Sequence, residues 1–155
     1  MGLFPTVRRI EWREAVTADC FADLGFDVME MNQVYPPKDR REDLQVRDPD
    51  TPGWTALVGV RGYSTGARVN DLLRFARYRI RYVRDHDEDV SAVWYFVNQF
   101  NEDDPEIRPP VLASNEVELE TFAADGGLVI DTADLFQMWR AVQDGSMTPP
   151  RRAPP

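Results

Sequence analysis

Only one cysteine, one histidine and one lysine occur among the 155 residues. The lone Cys20 excludes an internal disulfide and any zinc site built from several cysteines. The lone His86 excludes a His-rich metal centre and weighs against Ser-His catalysis. It sits in the polar run Arg84-Asp85-His86-Asp87-Glu88-Asp89, which reads as a solvated turn rather than a ligand set. Long apolar runs are missing too. Nothing approaches the roughly 18 residues of a membrane helix, and Met1 to Ile10 lacks the charged-then-apolar layout of a secretory leader. The expected address is therefore the cytoplasm, with no membrane partner.

What the chain does contain suits a soluble domain with a real core: 43% hydrophobic residues, 11% aromatic and 29% charged. Its 18 basic and 27 acidic residues leave a formal net charge of −9. Sequence-blind binding to nucleic acid draws most of its affinity from neutralised phosphates, so overall acidity disfavours it. The charge is unevenly spread. Between Arg61 and Arg84 stand seven arginines against one acid, Asp71, whereas Asp85 to Asp134 carries fourteen acids against one base, Arg108.

Periodicity sets the expected order of elements. Trp12, Val16, Cys20 and Leu24 recur every four residues, which predicts an amphipathic helix ending at Gly25. Phe26 to Met31 reads as a strand. A second strand over Asp43 to Arg47 and a third over Trp54 to Arg61 flank the turn formers of 48–53, so they form a hairpin. Asn70 or a neighbour is expected to cap the next helix, whose inner face is read as Val69, Leu72, Leu73, Ala76, Ile80 and Val83. Val90 to Phe100 is apolar almost throughout, as in a strand buried on both faces. A helix over Asn115 to Asp125 with an Asn115/Glu118 capping box, a strand at Leu128 to Ile130, and a helix capped by Asp131 or Thr132 complete the chain. The implied architecture is a single α/β domain with a central mixed sheet flanked by helices. Residues 1–10 form an N-terminal extension, 11–145 the domain, and 146–155 a disordered proline-rich tail or linker.

The hairpin region carries the informative constellation. Leu24-Gly25-Phe26 leads into the sheet, Glu42-Asp43 opens a strand, Val58-Gly59-Val60-Arg61-Gly62 closes the next, and a helix follows. Arg108-Pro109-Pro110 and Leu128-Val129-Ile130-Asp131-Thr132 come later. In this order the chain resembles the PD-(D/E)XK, or restriction-endonuclease-like, family across Glu11 to Val142. That resemblance implies a restriction-endonuclease-like core in which Asp43 is the first metal-binding carboxylate. It also implies that Gly59 stands where the second acid belongs and Arg61 where the lysine belongs. Family chemistry places Mg²⁺ or Mn²⁺ between the two acids, to polarise a phosphodiester and generate hydroxide. Glycine offers no ligand atom, and arginine does not shed a proton near neutrality.

Three readings follow. The first is a catalytically inactive nuclease-fold domain that needs no cofactor. It acts in binding or assembly with a protein partner or with other domains of the same polypeptide, as part of a larger protein or a DNA-related complex. The second is a metal-dependent DNA or RNA nuclease that uses Asp43 with a relocated carboxylate such as Glu14, Asp48 or Asp50; Lys38 is the only lysine available to it. A third treats the chain as a regulatory α/β module that shares the fold alone. Arg61, Arg68, Arg74, Arg77 and Arg81, with Arg84, would supply any phosphate-tracking strip. The bland reading of those arginines is the solvated side of an amphipathic helix. Cys20, on an apolar stripe, is expected in the core.

Overall fold

The order of elements follows from where the β-branched and aromatic residues concentrate. In the computed structural model, which describes residues 9–31 and 42–146 with side chains from residue 15 onward, four helices and five strands are formed. They are α1 (Arg9–Asp23), β1 (Asp27–Glu30), β2 (Leu44–Arg47), β3 (Thr55–Gly62), α2 (Asn70–His86), β4 (Ala92–Asn98), α3 (Glu116–Ala124), β5 (Gly127–Asp131) and α4 (Thr132–Gln143). Residues 1–8 of the expected N-terminal extension, Lys38 and the proline-rich tail from residue 147 lie outside the described residues, as does the side chain of Glu14; Arg9 and Ile10, placed in that extension, already belong to α1.

The strands lie in the order β1-β2-β3-β4-β5. The β1–β2 and β2–β3 pairs are antiparallel, while β3–β4 and β4–β5 are parallel. The turn over 48–54 permits the β2–β3 hairpin, whereas a parallel pair needs a long crossover. Helices α2 and α3 supply those crossovers. The result is the expected single α/β domain with a mixed sheet flanked by helices, and none of its described helices is long and apolar enough to cross a membrane.

Strand β3 occupies the centre and is buried along Thr55 to Val60. Alternation sends Ala56, Val58 and Val60 to one face, where Phe21 of α1, Leu24 just beyond it, Leu44 and Val46 of β2 and Leu135 of α4 pack on them. Leu57 turns to the other face, against Leu72, Phe75, Tyr78 and Tyr82 of α2 and Phe122 of α3. Strand β4 serves both sides as its continuous apolarity predicted: Phe96 joins the first cluster, and Val93, Tyr95 and Val97 the second. Cys20 is in the core at 3% exposure.

Three local expectations need correction. The buried stripe of α2 is Leu72, Phe75, Tyr78 and Tyr82, while Leu73, Ile80 and Val83 are exposed at 65%, 67% and 39%. Aromatic rings remove more apolar area from water than aliphatic side chains do, and the sheet selects them. Helix α2 begins after Val69 with no side-chain cap, although Asn70 stands beside it. Asn115 occupies the N-cap of α3 without donating or accepting a side-chain cap bond, so the capping box is not formed. At α4 the expectation holds, since Asp131 accepts the backbone N–H of Ala133.

Candidate functional site

The face of β3 that meets α2 presents Leu57, Gly59 and Arg61 in turn. Arg61 lies over the Phe75 ring at 5.4 Å and donates from Nη2 to the Tyr78 hydroxyl at 3.2 Å. Asp43 sits one residue before β2, placed by its own N–H donating to the Val58 carbonyl at 3.0 Å. Its Oδ2 accepts from the Val60 N–H at 2.7 Å and from Arg61 Nη1 at 2.6 Å. Arg61 Nη1 also donates to its neighbour's carbonyl, Val60 O, at 2.8 Å. The two side chains are only 19% and 15% exposed, so this ion pair is largely withdrawn from solvent. Burial alone would lower the Arg61 pKa, but the Asp43 carboxylate, with Tyr78 and Asp71 behind it, outweighs burial and holds the guanidinium charged well beyond its ordinary range.

Gly59 completes the trio that the sequence singled out, and its backbone explains the residue. A Cβ at this position would lie 2.2 Å from Cε1 and 2.3 Å from Cζ of Phe75. Phe75 is fully buried and packs on Tyr95 with ring centroids 4.8 Å apart. Helix α2 therefore approaches the sheet as closely as it does because position 59 has no side chain.

A second polar cluster lies beside the first and was not foreseen. Asp71, in the first turn of α2 and 3% exposed, accepts from the Tyr63 hydroxyl at 2.5 Å and the Tyr95 hydroxyl at 2.7 Å. Burial and the neighbouring Asp71 push the Tyr63 phenol up to about 12, and Tyr95 further in the same direction. Gln99, also buried, anchors the ends of the parallel strands: Oε1 accepts the Ala67 N–H at 3.1 Å and Nε2 donates to Pro109 O at 2.7 Å. An aspartate at a helix start is ordinary in a sequence. The available signal was that Asp71 is the only acid in an arginine-rich stretch.

Compared with family models, curated proteins and solved structures, the chain matches none. The remaining sequence-predicted residues can be placed by geometry alone. Arg61 does not belong to an arginine strip, because it turns inward under α2 while Arg74, Arg77 and Arg84 face solvent. Arg81 is half-buried, and Arg68 is exposed and lies over the Tyr63 ring at 4.5 Å. Asp48 and Asp50 are at the opposite end of the hairpin from Asp43, in the turn after the Arg47–Thr55 pair. There Asp48 Oδ1 accepts the Asp50 N–H at 2.9 Å. Helix α1, which bears Glu14, packs on the sheet face away from Arg61.

His86 closes α2, stacked on Tyr82 with centroids 4.1 Å apart. The Cys20 thiol is pushed up to about 11, by burial first and then by Asp23 and Asp19, so it stays protonated near neutrality. An open cleft of about 470 Å³ lies at the β5–α4 junction, lined in part by Pro105, Arg108, Val111, Leu119, Asp131 and Asp134. It contains neither Asp43 nor Arg61.

Proposed function

We propose that this chain is a catalytically silent, nuclease-like α/β domain that serves as a binding or assembly module. The observation that carries the reading is the Arg61 guanidinium, 2.6 Å from Asp43 Oδ2 in a largely buried pair. An Mg²⁺ or Mn²⁺ ion does not fit this arrangement. The guanidinium already neutralises the carboxylate from the place a dication would take, and Gly59 brings no second ligand. Phe75 occupies the space through which a longer side chain at position 59 would have to grow. Asp71 is no ready substitute, because both tyrosine hydroxyls are spent on it.

Removing a positioned acid–base group alone costs about 10²–10⁴ in rate, and the metal grip is lost here as well. The partner in this reading is another protein or another part of the same polypeptide, in the cytoplasm. Nucleic acid comes second, given the net charge of −9. The test is incubation of the purified chain with plasmid, single-stranded DNA and RNA in Mg²⁺ and in Mn²⁺. No cleavage above a no-protein control is expected. Metal-dependent cleavage that disappears in Asp43→Asn would overturn the proposal in favour of a nuclease with a relocated carboxylate.

A further inference from the structure

The geometry points to the outer face of α2 as a docking seam for an acidic amphipathic helix of a partner protein, which gives the binding-module reading its partner and rests on that reading. The motivating feature is the misplaced stripe. Leu73, Ala76, Ile80 and Val83 follow one another at spacings of three, four and three residues, the a and d positions of two successive heptads. All four are exposed, with Leu73 and Ile80 at 65% and 67%. Such a row on a water-facing helix is unusual, because a surface helix ordinarily carries its apolar row toward the core. Helix α2 already has a complete inner row in Leu72, Phe75, Tyr78 and Tyr82. The domain therefore holds the helix in shape, and a partner would not have to order it.

Charge decides what fits. In the same heptads Arg77 and Arg84 fall at e, beside the apolar row, with Arg84 in a loose, exposed ion pair with Asp85 at 3.8 Å, and Arg74 flanks them on the solvent side. These flanking positions set partner choice in paired helices. A second copy of this chain is a poor occupant. Antiparallel docking would set Arg77 and Arg84 against the same arginines of the other copy. Parallel docking would set Arg84 against Arg79, whose guanidinium is already paired with Asp89 at 2.7 Å and offers a helix of this chain no acid to meet. A nucleic-acid backbone could use the arginines but would leave Leu73, Ile80 and Val83 in water. A helix with aliphatic residues at a and d and glutamates or aspartates beside them satisfies both rows at once.

The probe is a fluorescein-labelled synthetic helix of three heptads with Leu at a and d and Glu at e and g, with a Lys-for-Glu counterpart as control. Fluorescence anisotropy on the full chain should show saturable binding of the Glu helix, weakened by added salt, and none of the Lys helix. Leu73→Glu and Ile80→Glu are at exposed sites and leave the fold intact. Each should weaken binding at least about tenfold, as loss of an interface anchor does. The double variant Arg77→Glu/Arg84→Glu should exchange the preference, losing the Glu helix and gaining the Lys helix; that gain cannot come from misfolding.

Absence of saturable binding, or equal binding to Ile80→Glu, overturns the seam. Displacement of the Glu helix by a duplex oligonucleotide whose own binding survives Leu73→Glu makes the face a phosphate strip instead. A wild-type dimer in sedimentation that Ile80→Glu disperses makes the occupant a second copy and likewise overturns the proposal. Cleavage activity with the seam intact would sink the silent-domain reading alone, and a silent chain that ignores the Glu helix would sink the seam alone.

Discussion

The two faces of the sheet solve the same burial problem with different chemistry. Toward α1 and α4 the contact is almost wholly apolar: Phe21 packs edge-on to Phe96 at 5.2 Å and stacks on Trp94 at 5.6 Å, with Leu24, Val58 and Leu135 around them. Toward α2 the core contains Asp43, Arg61, Asp71 and the hydroxyls of Tyr63, Tyr78 and Tyr95, joined into two small networks. A buried polar group costs stability unless it is bonded, and a half-satisfied network is worse than an apolar core. The α2 face therefore depends on each polar side chain keeping its particular partner, while the α1/α4 face depends on volume. The polar side chains under α2 are engaged with one another, as the proposed silent centre requires.

Position 59 offers the strongest way to break that difference. Replacing Gly59 by Glu would restore the acid that the resemblance lacks, yet it drives a side chain into Phe75 and buries a charge beside Asp43. Overpacking a core by a few methylenes costs about 1–3 kcal/mol, and an unpaired buried carboxylate adds to that. We expect Gly59→Glu to lose at least about 3 kcal/mol, read as a fall in the urea midpoint, with no gain of Mn²⁺ binding by calorimetry. A variant as stable as the parent that binds Mn²⁺ would mean that Phe75 can yield and the centre can be rebuilt.

The next largest effect belongs to the ion pair. Among the described residues, Arg61→Ala leaves the Asp43 carboxylate with the Val60 N–H alone, and breaking a buried pair costs about 3–5 kcal/mol. With side chains 19% and 15% exposed, the lower end applies. Asp43→Ala should also destabilise, since it removes the acceptor for both Val60 and Arg61. An active-site carboxylate held open for metal would instead be removable at little cost in stability. A double-mutant cycle over the two positions should return a coupling of about 1–3 kcal/mol. Coupling near zero would show that the two side chains are independent in solution, and the silent-centre reading would lose its main support.

Much of this contrast was legible from the sequence, and the parts that were not have physical causes. Apolar density fixed β3 and β4, and turn residues fixed the hairpin, because both signals are local. The α2 face was misread because Leu73, Ala76, Ile80 and Val83 sit at helical spacing just as Leu72, Phe75, Tyr78 and Tyr82 do. Periodicity alone does not say which of two apolar rows meets the sheet. The proximity of Asp43 to Arg61 was implied by the hairpin, but not that the arginine turns inward onto the carboxylate. That contact depends on Tyr78 and Phe75, which come from a different element. Asp71 stayed hidden for a similar reason: its partners Tyr63 and Tyr95 are eight and twenty-four residues away, brought to it by the crossover.

The smallest expected effect sharpens the comparison from the other side. On the predominantly apolar face, the hydroxyls of Thr17 in α1 and Thr132 in α4 are buried with no hydrogen-bond partner among the described residues. Thr17 is fully buried. Leaving a buried hydroxyl unpaired costs about 1–3 kcal/mol, whereas an apolar group of the same shape there is nearly neutral or stabilising. Valine has the shape of threonine and a similar helix propensity, so Thr17→Val should raise stability by about 1 kcal/mol, a positive shift in urea midpoint with an unchanged slope. The same logic reverses under α2, where Tyr95→Phe strips Asp71 of a donor and can only destabilise. If Thr17→Val were destabilising by a similar amount, its hydroxyl would have a partner after all. The two faces would then differ in how many polar groups they bury, and no longer in whether those groups are needed.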